Sequence, residues 1–193
     1  MTSTVLCNNC SGQSTTEIYQ SVNACAQPEL KEKLLSGELF LWTCPRCGAK
    51  KLLTYPLLYR DTGQKIIICL SAAPLSVANL EGWTGRIVGE PGELIEKIKI
   101  FDAGLDDMAI EMTKFVTEAE SGKEMKLKFL RLDESEGALI FTYPEAGEMQ
   151  LLSVGLGVYE NCLAALQRNP GIREAAEGQL ARIDKAWMYS ISR

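Results

Sequence analysis

The sequence contains no histidine among its 193 residues. Histidine is the usual base of Ser-His-Asp and Cys-His catalytic sites, and it is the side chain that most readily carries protons near neutral pH. Its absence excludes these catalytic sites and also excludes imidazole metal ligands. Any metal ion that the chain binds is therefore held by sulfur or carboxylate ligands.

The sequence also lacks a continuous run of about 18 apolar residues, which is the length that a transmembrane helix needs. Its first residues, Met1 to Leu6, carry neither the basic segment nor the apolar segment of a signal peptide. We therefore expect a soluble cytoplasmic protein with no membrane partner. The chain is 46% hydrophobic and long enough to bury a core, as one domain or as two small ones.

Seven cysteines are present, and an odd number argues against a complete disulfide framework and for a reducing compartment. Four of them form two CxxC pairs. These are Cys7, Cys10, Cys44 and Cys47. Two residues between thiolates let one tight turn present both sulfurs to the same ion, and two such turns complete a tetrahedral site. The pattern predicts a structural Zn²⁺, and a closed all-cysteine site leaves no open position for catalysis.

The two cysteine turns differ in sequence. Pro45 and Gly48 suit the second turn, because proline restricts φ and glycine accepts the left-handed conformation. The first turn has Asn8 in place of the proline, and its Gly12 lies one residue further along, although Asn9 tolerates a left-handed backbone. Four thiolates around one divalent cation leave two negative charges, which the nearby cations are placed to offset. These cations are Arg46, Lys50 and Lys51.

The three remaining cysteines, Cys25, Cys69 and Cys162, have apolar or small neighbours in the sequence. We interpret each of them as a small buried hydrophobic residue.

Residues 1–72 predict a zinc-ribbon-like β region with a short inserted helix. Pro28 suits the first helical position and Gly37 suits the position after the helix ends. The predicted strands are Thr15 to Asn23, Glu38 to Thr43, Lys51 to Tyr55 and Lys65 to Leu70. Thirty-three residues separate Cys10 from Cys44, against about 15–20 in similar zinc sites, and the inserted strand and helix account for the excess.

Residues 73–193 predict an acidic α+β region after a connection from Ser71 to Gly85. Apolar periodicity indicates helices around Leu94 to Phe101 and around Leu105 to Val116. A three-stranded antiparallel meander is predicted next, at Lys126 to Leu132, Ala138 to Tyr143 and Met149 to Val154. Two C-terminal helices, Val158 to Gln167 and Ile172 to Trp187, complete an α+β fold class.

Charge disfavours nucleic acid as a partner. Residues 1–72 carry seven Lys/Arg against five Asp/Glu, and residues 73–193 carry thirteen against twenty. The small basic excess is offset by the two negative charges of a zinc tetrathiolate, and no basic stripe with interleaved aromatic residues is present. An unidentified protein partner and a homodimer both remain open.

The first region resembles the CpXC domain family of bacterial and archaeal proteins. The resemblance rests on Cys44-Pro-Arg-Cys47-Gly48, on Leu34-Leu35-Ser36-Gly37-Glu38-Leu39-Phe40 and on Tyr55-Pro56-Leu57-Leu58-Tyr59-Arg60-Asp61, and it extends to about Glu111. Cys7, Cys10, Cys44 and Cys47 match the family's paired cysteine motifs, whereas Asn8 departs from the usual proline. The resemblance implies metal binding. It implies no activity, because the family has no assigned molecular function.

A non-catalytic binding or regulatory module is thus the principal hypothesis, and two enzymatic alternatives stay open. A CxxC pair can be a redox dithiol when a helix follows it, but the residues after Cys47 are too strand-like and end at Pro56. A hydrolase could use the carboxylates of Asp102, Asp106, Asp107 and Glu111, which could hold Mg²⁺. We expect instead that these four form a solvated helix face opposite the apolar stripe.

Overall fold

The computed structural model describes residues 1–73 and 80–191 and shows a mixed α+β fold. It consists of two compact units. The first comprises Met1–Ile95 with Gly178–Leu180, and the second comprises Glu96–Glu177 with Ala181–Arg193. This division differs from the 72/73 boundary expected from composition, because a strand at Thr84–Val88 joins the sheet of the first unit. The connection predicted at residues 71–85 falls partly on residues 74–79, which lie outside the described residues.

The first unit contains eight strands and one helix of two turns among the described residues before residue 90. In chain order these are β1 (Thr2–Leu6), β2 (Gln13–Glu17), β3 (Ser21–Asn23), α1 (Pro28–Leu35), β4 (Leu41–Thr43), β5 (Lys50–Leu52), β6 (Leu57–Asp61), β7 (Ile66–Leu70) and β8 (Thr84–Val88). Helix α2 (Pro91–Asp102) begins in this unit and ends in the second.

Two of the sheets in the first unit are short antiparallel hairpins. Strand β1 pairs with β2, and β4 pairs with β5. The residues that close these hairpins, between Leu6 and Gln13 and between Thr43 and Lys50, contain the two CxxC pairs. Each cysteine turn is therefore held at the end of its own hairpin.

The third sheet of the unit provides most of its apolar interior. Strand β6 pairs in parallel with β3 and antiparallel with β7, and β7 pairs in parallel with β8. Alternate residues of β6, beginning with Leu57 and Tyr59, are buried. Helix α1 begins at the predicted Pro28, and it buries Leu30 and Leu34.

Two strand predictions in this unit are corrected by the structure. The single strand at Thr15 to Asn23 is two strands, because the chain changes its pairing partner: Ile18 N–H donates to Met1 O, whereas Gln20 O accepts from Leu58 N–H. The strand at Glu38 to Thr43 begins as a 3-10 turn (Glu38–Phe40). Strands β1 and β6 were not predicted.

The second unit is an antiparallel sheet packed with helices. Its elements are α3 (Asp107–Ser121), β9 (Lys128–Asp133), β10 (Ala138–Glu145), β11 (Glu148–Gly155), α4 (Leu156–Arg168), α5 (Pro170–Glu174), β12 (Leu180–Ala181) and α6 (Lys185–Ile191). The sheet has the order β11-β10-β9 and is the predicted three-stranded meander. Its core joins the sheet, through Phe129, Leu139 and Phe141, to helix residues such as Ile110 and Leu166.

The predicted C-terminal helix at Ile172 to Trp187 is wrong in extent. Helix α5 ends at Glu174, and Gly178 adopts a left-handed φ of 68°. The chain then forms β12, which lies beside β8 at the edge of the five-stranded sheet. A glycine with positive φ interrupts a helix, so the apolar periodicity that continues past it is shared by two separate helices.

Candidate metal centre

The two cysteine turns have the same backbone hydrogen-bond pattern. We call residues 7–12 the first knuckle and residues 44–49 the second knuckle. In the first, Cys7 N–H donates to Gly12 O at 2.9 Å and Ser11 N–H donates to Cys7 O at 3.0 Å. In the second, Cys44 N–H donates to Ala49 O at 2.8 Å and Gly48 N–H donates to Cys44 O at 2.9 Å. The knuckles therefore align residue by residue, from Cys7 with Cys44 to Gly12 with Ala49.

The alignment shows which residue takes the left-handed conformation in the first knuckle. Ser11 has φ of 53°, and its counterpart Gly48 has φ of 72°. The sequence favoured Asn9 or Gly12 for the left-handed position, and neither of them takes it in the structure. Gly12 serves a different purpose, because a Cβ there would lie 3.2 Å from Cys10 Sγ and 3.3 Å from Arg46 Cδ.

The four sulfurs lie within 4.8 Å of one another. The short separations join the knuckles: Cys7 Sγ lies 3.6 Å from Cys47 Sγ, and Cys10 Sγ lies 3.7 Å from Cys44 Sγ. Tetrahedral zinc with Zn–S bonds of about 2.3 Å has sulfur–sulfur edges of about 3.8 Å. The donor set and its spacing thus fit one tetrahedral thiolate-bound ion.

Backbone N–H groups point at the sulfurs and shift their acidity. The N–H of Ala49, assisted by the Asn9 side-chain amide 3.6 Å away, lowers the pKa of Cys47 to about 6. The N–H groups of Asn9 and Cys10 lower the pKa of Cys7. The Gly12 N–H favours the Cys10 thiolate, but burial and the neighbouring thiols outweigh it and raise the pKa of Cys10 to about 11.

The residues that form this centre lie within the match to a known protein family. A family model described as CpXC protein matches residues 5–114, which is more than half of the chain and includes all four knuckle cysteines. The chain belongs to the CpXC family. A search of curated proteins and a search of solved structures each found no match.

Around the CpXC cysteines, the apolar contacts are few. Val5 and Trp42 are buried with Cys7 and Cys44, and Cys10, Ala49 and Leu53 pack against this small cluster as partly buried residues. A cleft of about 260 Å³ lies beside it, lined by Cys7, Asn8, Asn9, Trp42, Ala49, Lys50 and Lys51. Lys51 Nζ lies 3.4 Å from both Leu6 O and Asn8 Oδ1, so this cation holds the first knuckle.

Asn9 contributes its side chain to the centre and not a left-handed backbone conformation. Its amide donates from the first knuckle to a sulfur of the second. A polar residue between two cysteines gives no signal of such a contact, because the partner is 38 residues away.

The three cysteines outside the knuckles of this CpXC chain differ from one another. Cys69 and Cys162 are buried as predicted, and burial raises the pKa of each thiol. Cys25 is exposed, which corrects the prediction, and its thiol lies 3.6 Å from Asp61 Oδ1.

The four acidic residues considered for Mg²⁺ do not converge. Asp102 is exposed, and Asp106 begins α3 by accepting from Met108 N–H and Ala109 N–H. Asp107 and Glu111 are buried rather than solvated, since only 2% and 8% of their surfaces are exposed. Among the described residues, the only group of three or more ligand side chains that could hold a metal ion is the four-cysteine set.

Each buried carboxylate of this cluster faces a lysine. Asp107 Oδ2 lies 2.8 Å from Lys97 Nζ. Lys114 Nζ lies 2.7 Å from Glu96 Oε1 and 3.0 Å from Glu111 Oε2. The prediction of a solvated face was wrong because α3 buries residues on more than its apolar stripe, and charges buried there require partners.

Proposed function

We propose that Cys7, Cys10, Cys44 and Cys47 hold one structural Zn²⁺ in a zinc-ribbon-like region, and that the protein is a non-catalytic binding or regulatory module of a reducing, cytoplasmic compartment. The observation that carries the proposal is the set of four sulfurs within 4.8 Å, presented by two knuckles with equivalent hydrogen bonds. Two hairpins, each ending in such a knuckle, form the zinc-ribbon-like arrangement.

The chemistry of the donors favours zinc in a structural role. Four thiolates are soft ligands that suit Zn²⁺, and they fill its tetrahedral shell. With no open position, the ion binds neither substrate nor water. Its contribution is to hold the β1–β2 hairpin against the β4–β5 hairpin, which also share the small cluster around Val5 and Trp42 and the contacts of Lys51 and Asn9.

The two enzymatic alternatives have weaker support. Neither knuckle is followed by the helix that activates a redox CxxC pair, because strands β2 and β5 follow them. The carboxylates proposed for a hydrolase are separately engaged, as Asp107 is by Lys97 and Glu111 by Lys114.

No helix in the described part of the chain is long and apolar enough to cross a membrane.

Elemental analysis of protein purified without chelator tests the proposal. We expect about one equivalent of zinc per chain, a colourless protein, and loss of the metal in Cys10→Ser and in Cys44→Ser. Cys25→Ser is the matched control, because it removes an exposed thiol outside the knuckles and should leave the zinc content unchanged. Less than about half an equivalent of zinc in the wild-type protein, or a coloured iron centre, would overturn the assignment.

Thiol counting separates the zinc site from redox chemistry. In the zinc protein, four of the seven cysteines should react with a thiol reagent only after the metal is removed. Disulfides within Cys7–Cys10 or Cys44–Cys47 in freshly isolated, zinc-free protein would favour the redox alternative instead.

A further inference from the structure

The meander of the second unit has two edge strands that differ in their protection. Strand β9, at one edge, carries the charged residues Lys128, Arg131 and Asp133. Its pairing with β10 also shifts register between Ile140 and Phe141, as at a β-bulge. Charges and bulges are the devices by which proteins prevent an edge strand from pairing with another chain.

Strand β11, at the other edge, has neither device along most of its length. It pairs with β10 in unbroken register over eight residues. From Met149 to Gly155 it contains no charged residue. Among the strands that the structure describes, only β10 pairs with it, so its outer edge presents unpaired backbone N–H and C=O groups.

The same strand also exposes large apolar side chains. Met149 is 62% exposed and Leu151 is 68% exposed. They are two residues apart and so lie on one face of the sheet. An unprotected edge that also displays apolar side chains is a surface suited to adding a strand.

We propose that β11 pairs antiparallel with β11 of a second copy of this chain, which joins the two three-stranded meanders into one continuous six-stranded sheet. This inference is independent of the zinc assignment, because β11 lies in the second unit and the knuckles lie in the first.

Symmetry restricts the register of such a pair. A two-fold axis perpendicular to the sheet must lie midway between the two copies of one residue, since directly opposite residues share a face. With the axis at Leu151, Leu151 lies opposite its own copy and Met149 lies opposite Ser153 of the second copy. This register brings the exposed apolar side chains together and places Glu148 opposite Val154, so the two Glu148 carboxylates do not meet.

The absence of charge and the self-complementary register of β11 favour a second copy as the occupant, because Met149 to Gly155 carries nothing that repels its own copy. The chain has a net charge of −5, so two copies repel each other over most of their surfaces. The neutral stretch from Met149 to Gly155 is a place where two acidic copies can meet without facing like charges. The same neutrality offers nothing to attract a strongly basic or strongly acidic partner segment.

Sedimentation of the purified full chain tests the proposal through the oligomeric state. We expect a concentration-dependent dimer. Leu151→Lys should raise the dimer dissociation constant at least about tenfold, because it places two cations opposite each other and removes an apolar contact. Leu52→Lys is the matched control, since Leu52 is also a strand leucine, is 63% exposed and lies in the first unit.

Cross-linking tests the register. In a Cys25→Ser background, Leu151→Cys should form a disulfide between copies, because opposite residues in an antiparallel pair have Cα atoms about 4.5–5.5 Å apart. Ser153→Cys is the control, since its copies would be offset by four residues, or roughly 13 Å. Circular dichroism must show that each variant is folded like the wild-type protein.

Three results would overturn the proposal. One is a wild-type protein that stays monomeric up to about 1 mM. The second is a dimer that Leu151→Lys leaves as stable as the wild-type dimer. The third is a disulfide that forms more readily at position 153 than at position 151.

Discussion

Ser11 occupies in the first knuckle the backbone position that Gly48 occupies in the second. Both residues have positive φ, 53° and 72°, and both donate their N–H to the carbonyl oxygen of the cysteine four residues earlier. A residue with a Cβ is strained in this conformation by about 1 kcal/mol, whereas glycine is not. The strain at Ser11 therefore makes the first knuckle the weaker of the two.

The first prediction is that Ser11→Gly stabilises the zinc-loaded protein by about 1 kcal/mol and that Gly48→Ala destabilises it by a similar amount. Nothing lies within 4 Å of a Cβ built at Gly48, so the cost there is conformational rather than steric. Urea unfolding at saturating zinc measures both effects. Ser3→Gly, in the extended strand β1, is the control and should destabilise the protein, because glycine weakens a strand.

A second substitution in the same knuckle separates strain from crowding. Gly12→Ala should weaken zinc binding even when combined with Ser11→Gly, because the new Cβ would approach Cys10 Sγ and Arg46. If Ser11→Gly proved as destabilising as Ser3→Gly, the left-handed conformation of Ser11 would not exist in solution.

The second prediction concerns removal of the metal. A strong chelator should separate the two hairpins and expose Trp42, which is 5% exposed in the structure. The small cluster around Val5 and Trp42 cannot replace an ion that contributes on the order of 10 kcal/mol in comparable sites. Fluorescence of a Trp83→Phe, Trp187→Phe variant, in which Trp42 is the only remaining tryptophan, should shift to longer wavelength.

Far-ultraviolet circular dichroism of the same sample shows how far the unfolding extends. The helices of the second unit, which has its own apolar core, should persist after chelation. Loss of all secondary structure in one cooperative step would mean that the two units share their stability.

The third prediction concerns Lys114, which is buried between Glu96 and Glu111. Burial alone lowers the pKa of Lys114, but the two carboxylates outweigh it and hold the pKa above its ordinary value. Lys114→Met leaves two buried carboxylates without their cation and should cost about 3–5 kcal/mol in urea unfolding. Lys123→Met is the control and should cost less than about 1 kcal/mol, because the Lys123 side chain is 71% exposed in its pair with Glu145.

Removing the two carboxylate charges tests whether the stability lost in Lys114→Met is electrostatic. Adding Glu96→Gln and Glu111→Gln to Lys114→Met should recover part of the lost stability, since glutamine at position 96 still accepts the hydrogen bond from Phe129 N–H. A triple variant less stable than Lys114→Met would show that the loss comes from packing of the lysine chain.

The cysteine set and the meander were predictable because their signals are local. Two residues between cysteines define a turn, and alternating strands separated by short polar turns define a meander. The parallel pairings of β3 with β6 and of β7 with β8 were not predictable, because a local sequence pattern does not identify a pairing partner that is distant along the chain.

The buried charges of α3 were missed for a related reason. Leu105, Met108 and Met112 predict one apolar face, and the opposite face was assumed to be in water. Asp107 is buried because Lys97 of α2 pairs with it. Glu111 is buried because Lys114 of α3 itself pairs with it. Sequence periodicity shows which face of a helix is apolar, but it does not show whether a charged face is covered by a neighbour of opposite charge.

The fourth prediction is a pH dependence at Asp133, the last residue of β9, just before the turn to β10. Ser135 Oγ donates to its Oδ1 at 2.7 Å and Arg131 Nη1 donates to its Oδ2 at 2.6 Å, and these contacts lower the pKa of Asp133 to about 2. Its ordinary pKa is about 3.9, so the unfolded chain binds the proton more tightly than the folded chain. The stabilisation is therefore complete above about pH 4 and is lost as the pH falls from about 4 to about 2.

Carboxyl NMR titration measures the pKa of Asp133 directly and separates it from other groups that titrate at low pH. Ser135→Ala should raise the pKa of Asp133 toward 3.9, because it removes the largest of the stabilising hydrogen bonds. Glu134→Gln is the control, since it removes a neighbouring negative charge in the same turn but none of these donors. An Asp133 carboxyl that titrates near pH 4 in the folded wild-type protein would show that the Ser135 and Arg131 contacts do not form in solution.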